Sequence, residues 1–95
     1  MKSKLLRGVE GEPGRYAFYC PGCEHSHSVF ISPHVGGVHW TFNGDFDSPT
    51  FSPSLLVDGS RPERRCHSFI ENGHIRYLDD CHHGLKGRMV PMEKF

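Results

Sequence analysis

Short runs in which apolar and polar residues alternate follow one another along the chain, and helical periodicity is nearly absent. No window of about 12 residues keeps apolar positions at i, i+3, i+4 and i+7 without a glycine or proline intervening. The alternating runs are typical of β-strands that bury one face. They predict strands at residues 15–19, 28–32, 38–42 and 54–57.

The segment at residues 66–79, CHSFIENGHIRYLD, carries the strongest hairpin signal. Asn72 and Gly73 suit a two-residue type I′ turn, because both central positions of that turn need positive φ. Neighbouring residues on a strand point to opposite faces of the sheet. Cys66 and His67 are therefore expected on opposite faces of this hairpin.

The chain is short and rich in turn-forming residues. It has 95 residues, of which 36% are hydrophobic, and it contains 11 Gly and 7 Pro. We expect residues 1–95 to form a single domain. A domain of this size buries only about 60–65% of the surface that its unfolded chain exposes, so its core is marginal. Small domains of this kind often gain stability from disulfides or a bound metal ion.

Basic and acidic side chains balance, with 11 Lys plus Arg against 11 Asp plus Glu. This balance argues against duplex DNA as a partner, because binding to DNA relies on neutralising phosphates. No apolar run approaches the roughly 20 residues that cross a membrane, and the N-terminus lacks the apolar stretch of a signal peptide. We expect a cytoplasmic protein, whose thiols stay reduced and whose paired cysteines favour metal binding over disulfides.

Cys20 and Cys23, separated by a proline and a glycine, form a tight turn that directs both sulfurs at one point. A zinc ion takes four ligands in a tetrahedron, so two more must come from elsewhere. The candidate ligands are Cys66, His67, Cys81, His82 and His83. The strand alternation favours Cys66, and either Cys81 or His83 could reach the same end of the hairpin. A redox-active cysteine pair is the alternative, but the strand-to-helix context of such pairs is missing.

Several motifs occur in a fixed order: CPGC at residues 20–23 followed by His27, PTFSPS at 49–54, CHSF at 66–69 and DCHHGLKG at 80–87. In this order the chain resembles a family of small, uncharacterised proteins common in phages and prophages, whose members are often labelled ammonia monooxygenase. The resemblance spans roughly residues 16–91 and implies a phage or prophage origin, with no established activity.

The resemblance also narrows the choice of ligands. The family pattern allows serine at the position of Cys81 but shows histidine at the position of His83. It therefore implies a zinc site formed by Cys20, Cys23, Cys66 and His83, with Cys81 and His27 as alternates. The fold expected is mostly β, a small zinc-stabilised domain with a C-terminal hairpin at residues 66–79.

Two functions are consistent with such a site. The first is a binding module for a host protein or nucleic acid, acting in the cytoplasm of the host bacterium with a structural zinc. It is favoured because cysteine-rich ligand sets are typical of structural sites and because neither paired carboxylates nor a Ser/His/Asp arrangement is recognisable. A non-enzymatic role is thus preferred, although enzymatic activity is left open.

The alternative is a zinc-dependent hydrolase acting on a nucleotide or phosphodiester. A catalytic zinc keeps one position open for water. His67 or His27 would then serve as general base, and Asp79 or Asp80 would orient it. The segment at residues 49–54 contains two prolines and is either a sheet edge or the rim of a ligand pocket, with Thr50, Ser52 and Ser54 as hydrogen-bond donors.

Overall fold

The computed structural model describes residues 4–31 and 39–95. Within these residues the chain forms nine β-strands and no helix, so none of it forms a helix that could cross a membrane. The strands are β1 (Arg7–Gly8), β2 (Arg15–Cys20), β3 (His25–Phe30), β4 (Thr41–Phe42), β5 (Phe51–Ser52), β6 (Leu55–Val57), β7 (Cys66–Glu71), β8 (His74–Tyr77) and β9 (Met89–Pro91). The mostly β fold class is confirmed.

The strands form three antiparallel sheets, in the orders β1-β2-β3, β4-β5 and β6-β7-β8-β9. β3 begins three residues earlier than predicted, at His25, because it pairs with Cys20 of β2 directly after the connecting turn. Of the predicted strand residues, Ser32 and Val38 lie outside the described part of the chain. The short β4 and β5 pair only with each other among the described strands.

The C-terminal hairpin has the predicted register. Glu71 lies opposite His74, and the two turn residues have positive φ, 49° for Asn72 and 74° for Gly73. Burial alternates strictly along β7, and its inward residues begin with Cys66. The β8 strand ends at Tyr77, two residues before the predicted boundary, because the chain there turns into the loop that follows.

The core joins side chains from the first and third sheets. Its apolar members include Phe18 of β2, Val29 of β3, Ile70 of β7 and Ile75 of β8, all with no exposed surface. Three of the four cysteines, Cys20, Cys66 and Cys81, belong to the same buried cluster. The sulfur groups are thus part of the core itself.

We expect Ile70→Ala to lower the free energy of unfolding by about 2–5 kcal/mol, because the substitution leaves a cavity in a close-packed core. Met89→Ala is the control, since Met89 is 53% exposed, and its effect is expected within about 0.5 kcal/mol. Denaturant unfolding measures both. Similar losses for the two variants would contradict the position of the core.

Candidate functional site

The Cys-x2-Cys turn connects β2 to β3 and is closed by its own backbone. The N–H of Glu24 donates to the carbonyl oxygen of Cys20 over 2.8 Å, and the N–H of Cys23 points at the Cys20 Sγ, 3.4 Å away. Glu24 adopts a positive φ of 61° to complete the turn. The turn therefore directs a backbone donor at the Cys20 sulfur, which favours its thiolate form.

Four side chains converge beside this turn. The ligand atoms of Cys20, Cys23, Cys66 and His83 all lie within 4.8 Å of one another. Cys66 Sγ is 3.9 Å from Cys20 Sγ and 3.6 Å from His83 Nε2. These are the residues implied by the family resemblance. We call them the Cys3His cluster, and they could hold a metal ion.

Neighbouring groups fix the orientation of the cluster. The N–H of Leu85 donates to Nδ1 of His83 over 3.2 Å, which leaves Nε2 directed at Cys66. The Tyr77 hydroxyl lies 3.1 Å from Cys20 Sγ and accepts from the N–H of Gly22 over 3.4 Å. These contacts hold the His83 ring and the Cys20 sulfur side by side.

The cluster is also electrostatically coupled. A hydrogen bond from the Cys66 thiol lowers the pKa of Cys20 to about 3, and that same bond raises the pKa of Cys66. Burial raises the pKa of Cys23 to about 11 and raises that of Tyr77, whereas it lowers the pKa of His83. A bound cation would favour the thiolate forms of all three cysteines, so its binding would release protons.

The alternate ligands lie outside the Cys3His cluster. Cys81 is buried, and its Sγ accepts from the backbone N–H of His67 over 3.2 Å and donates to the His67 carbonyl over 3.1 Å. His27 is buried against the edge of Phe18, and its Nε2 has no hydrogen-bond partner among residues 4–31 and 39–95. The exposed His82 places Nε2 3.4 Å from Cys23 Sγ, at the rim of the cluster.

A second constellation lies on the opposite face of β7. Ser54 Oγ is 3.1 Å from His67 Nε2, and His67 Nδ1 is 3.2 Å from Asp80 Oδ2. The His67 side chain is 25% exposed and the Asp80 side chain 43%, so both can be reached from solvent. The three residues form a continuous Ser-His-Asp relay.

This relay corrects the expectation that the chain holds no Ser/His/Asp arrangement. His67 had been singled out, with Asp80 as an orienting partner and Ser54 as a rim donor, but not as one unit. Each pair in the relay is 13 residues apart in sequence. The pairing of β6 with β7 joins Ser54 to His67, because it sets Leu56 opposite His67, whereas the loop after β8 brings Asp80 to Nδ1 of His67. Ser54 lies two residues before Leu56 and so shares its face. The sequence could have indicated the contact between Ser54 and His67 only if the pairing of the two strands had been known.

Two further contacts hold the relay in place. Cys81 follows Asp80 directly, and its two hydrogen bonds to the His67 backbone tie the Asp80 loop to β7. The indole N–H of Trp40 donates to the Ser54 carbonyl over 3.3 Å. Trp40 itself is partly buried and packs against the core.

Comparison with protein families gives a match to the bacterial ubiquitination-like system serine protease (BubE) over residues 2–78. The chain belongs to the BubE family. The BubE match includes three residues of the Cys3His cluster and two of the relay, and it ends before Asp80 and His83. Comparison with curated proteins and with solved structures gave no match. The phage or prophage origin stays a prediction.

We expect Gly22→Ala to weaken metal binding without removing a ligand, because a Cβ at Gly22 would overlap the imidazole ring of His83. A loss of roughly tenfold or more in affinity is expected from displacing a ligand ring. Titration with Co²⁺, followed by its visible absorption, measures the affinity.

Gly84→Ala is the matched control, because a Cβ at Gly84 would meet nothing within 4 Å although the residue adjoins His83. Equal Co²⁺ affinity of the two variants would show that His83 does not bind the metal in the position described.

Proposed function

We propose that this protein is a serine protease in which Ser54 is the nucleophile, His67 the general base and acid, and Asp80 the group that orients His67. The observation that carries the proposal is the continuous relay from Ser54 Oγ to His67 Nε2 (3.1 Å) and from His67 Nδ1 to Asp80 Oδ2 (3.2 Å). The name of the BubE family supports the same chemistry. It also supports a ubiquitin-like modifier of a bacterial system as the substrate, cleaved at a peptide or isopeptide bond.

The relay assigns each step to one atom. Ser54 Oγ attacks the carbonyl carbon of the scissile bond while His67 Nε2 accepts the hydroxyl proton. His67 then donates that proton to the leaving amine, and an acyl ester remains on Ser54. Water attacks the ester while His67 accepts a proton from it, and His67 then donates that proton to Ser54 Oγ as the carboxylic acid departs. Throughout the reaction the carboxylate of Asp80 accepts a hydrogen bond from the Nδ1–H of His67. This holds the proton on Nδ1 and keeps Nε2 free to accept the proton of Ser54.

The Cys3His cluster suits zinc in a structural role. Three thiolates and one imidazole are a typical closed set of structural zinc ligands, with all four positions supplied by the protein. His67 is directed away from this cluster, since it follows Cys66 on β7 and shows the opposite burial. The geometry therefore supports a zinc that holds the start of β7 in place, and it gives less support to a zinc-dependent hydrolase of nucleotides or phosphodiesters. Binding of a separate host protein or nucleic acid stays a prediction.

We expect Ser54→Ala to abolish covalent labelling by a fluorophosphonate and to reduce peptide hydrolysis by about 10⁴-fold or more, because the nucleophile is removed. Asp80→Asn is expected to reduce hydrolysis by roughly 10²–10⁴-fold, because it destabilises the productive tautomer of His67. Intact-protein mass spectrometry measures the labelling.

Ser52→Ala is the control, since Ser52 is exposed and lies two residues before Ser54. It is expected to label and hydrolyse like the unaltered protein. Labelling that persists in Ser54→Ala but is lost in Ser52→Ala would move the nucleophile to Ser52 and contradict the relay.

We expect elemental analysis to give about one zinc per chain, and a strong chelator to unfold the protein while its thiols become reactive, because the ligands are part of the core. Cys66→Ser is expected to unfold the domain or leave it insoluble. The exposed His74 serves as the control position, and His74→Ala should be tolerated. Removal of the metal with no loss of circular dichroism would contradict a structural role.

A further inference from the structure

The strand that follows the nucleophile lies at an edge of its sheet. β6 is the first strand in the order β6-β7-β8-β9, so among the described strands it pairs on one side only. It begins at Leu55, the residue after Ser54. An edge strand presents backbone N–H and C=O groups that can pair with another chain. The question is which groups of β6 face outward.

The hydrogen bonds of His67 answer it. Its backbone N–H donates to Cys81 Sγ over 3.2 Å, and its carbonyl accepts from the N–H of Leu78 over 2.9 Å, so both groups point away from β6. In an antiparallel pair, hydrogen-bonded and non-hydrogen-bonded positions alternate. Leu56, directly opposite His67, is therefore at a non-hydrogen-bonded position. Its own N–H and C=O point outward, and no described residue is hydrogen-bonded to them.

The side chain of Leu56 lies beside the relay. It points to the same face as His67, its pairing partner, and it is 55% exposed. Phe69, two residues after His67, adds a half-buried ring to that face. At the other end of the edge, Trp40 already occupies the outward carbonyl of Ser54. On β6, the outward groups with no partner among the described residues are thus those of Leu56, close to the nucleophile. The exposed Leu56 side chain lies beside them, whereas the guanidinium of Arg76 covers the ring of Phe69, 4.5 Å from its centroid.

We propose that the outer edge of β6 binds the substrate, which adds to the sheet as an extended polypeptide segment hydrogen-bonded to the N–H and C=O of Leu56. This inference rests on the proposed protease function and names its substrate class as an extended chain with an apolar side chain that packs against Leu56. Strand addition of this kind takes affinity from main-chain hydrogen bonds and specificity from alternate side chains. It would bring the scissile carbonyl alongside Ser54 Oγ.

The test compares two covalent probes of Ser54, a bare fluorophosphonate and a leucine-containing peptidyl phosphonate. The quantity measured is the ratio of their labelling rates, by intact-protein mass spectrometry. Leu56→Pro removes the outward N–H, and proline is tolerated at an edge where that N–H faces solvent. The labelling rate of the peptidyl probe divided by that of the bare fluorophosphonate is called the peptidyl preference. We expect it to fall by about tenfold in Leu56→Pro, as for the loss of one or two hydrogen bonds. Leu56→Ala keeps the N–H and should retain more of the preference.

A second measurement does not depend on how the variant folds. The unaltered protein is labelled by the same peptidyl phosphonate with its backbone amides N-methylated, and we expect its preference to fall by a similar factor. An unchanged preference in Leu56→Pro and for the N-methylated probe would overturn the edge proposal while the protease function stands. A protein that reacts with neither probe would instead overturn the protease function, and the edge proposal with it.

Discussion

The alternation of side chains along β7 is the constraint on which both sites depend. Cys66 points into the core and contributes its sulfur to the Cys3His cluster, whereas His67 points outward and joins Ser54 to Asp80. A shift of β7 by one residue against both of its neighbours, β6 and β8, would exchange its two faces. It would place an imidazole among the sulfurs and a thiol beside Ser54. The alternation along β7 therefore decides together which residue joins the Cys3His cluster and which one contacts Ser54.

The Cys3His cluster is built into the hydrophobic core, because Cys20 and Cys66 belong to both and Cys23 packs against the core. Cys20 and Cys66 are among its least exposed residues, and the ring of Tyr77 contacts both the cluster and the apolar interior. In a chain of 95 residues the apolar core alone is marginal. A metal ion bound by four residues from β2, the following turn, β7 and the loop after β8 would cross-link distant segments of that core. The bound metal would then both stabilise the fold and fix the start of β7, where His67 follows Cys66.

The sequence could predict the hairpin and parts of the Cys3His cluster because these depend on residues close together in the chain. It could not predict the relay, which depends on residues far apart in the chain. The hairpin followed from the local chemistry of Asn72 and Gly73, and the first two cluster cysteines from their own turn. Cys66 followed from strand alternation, because that period is local too, and His83 needed the family resemblance. The relay was missed because Ser54 meets His67 only through the pairing of β6 with β7, and Asp80 meets it only through the loop after β8. Each residue was noticed separately, but nothing local joins a serine after a proline to a histidine 13 residues later.

The edge of β6 presents backbone groups next to Ser54, and several features limit its pairing with another sheet. Natural proteins protect such edges with short strands and with prolines that cannot donate hydrogen bonds. β6 has three residues, Pro53 precedes Ser54, and Trp40 occupies the Ser54 carbonyl. In the part of the chain that the structure describes, one outward N–H and C=O pair then remains without a partner on β6, at Leu56. A single pair can align one extended segment beside Ser54 but offers too little for a second copy of the sheet to extend. The features that limit the edge would therefore also make it selective for a chain held by further contacts near the relay.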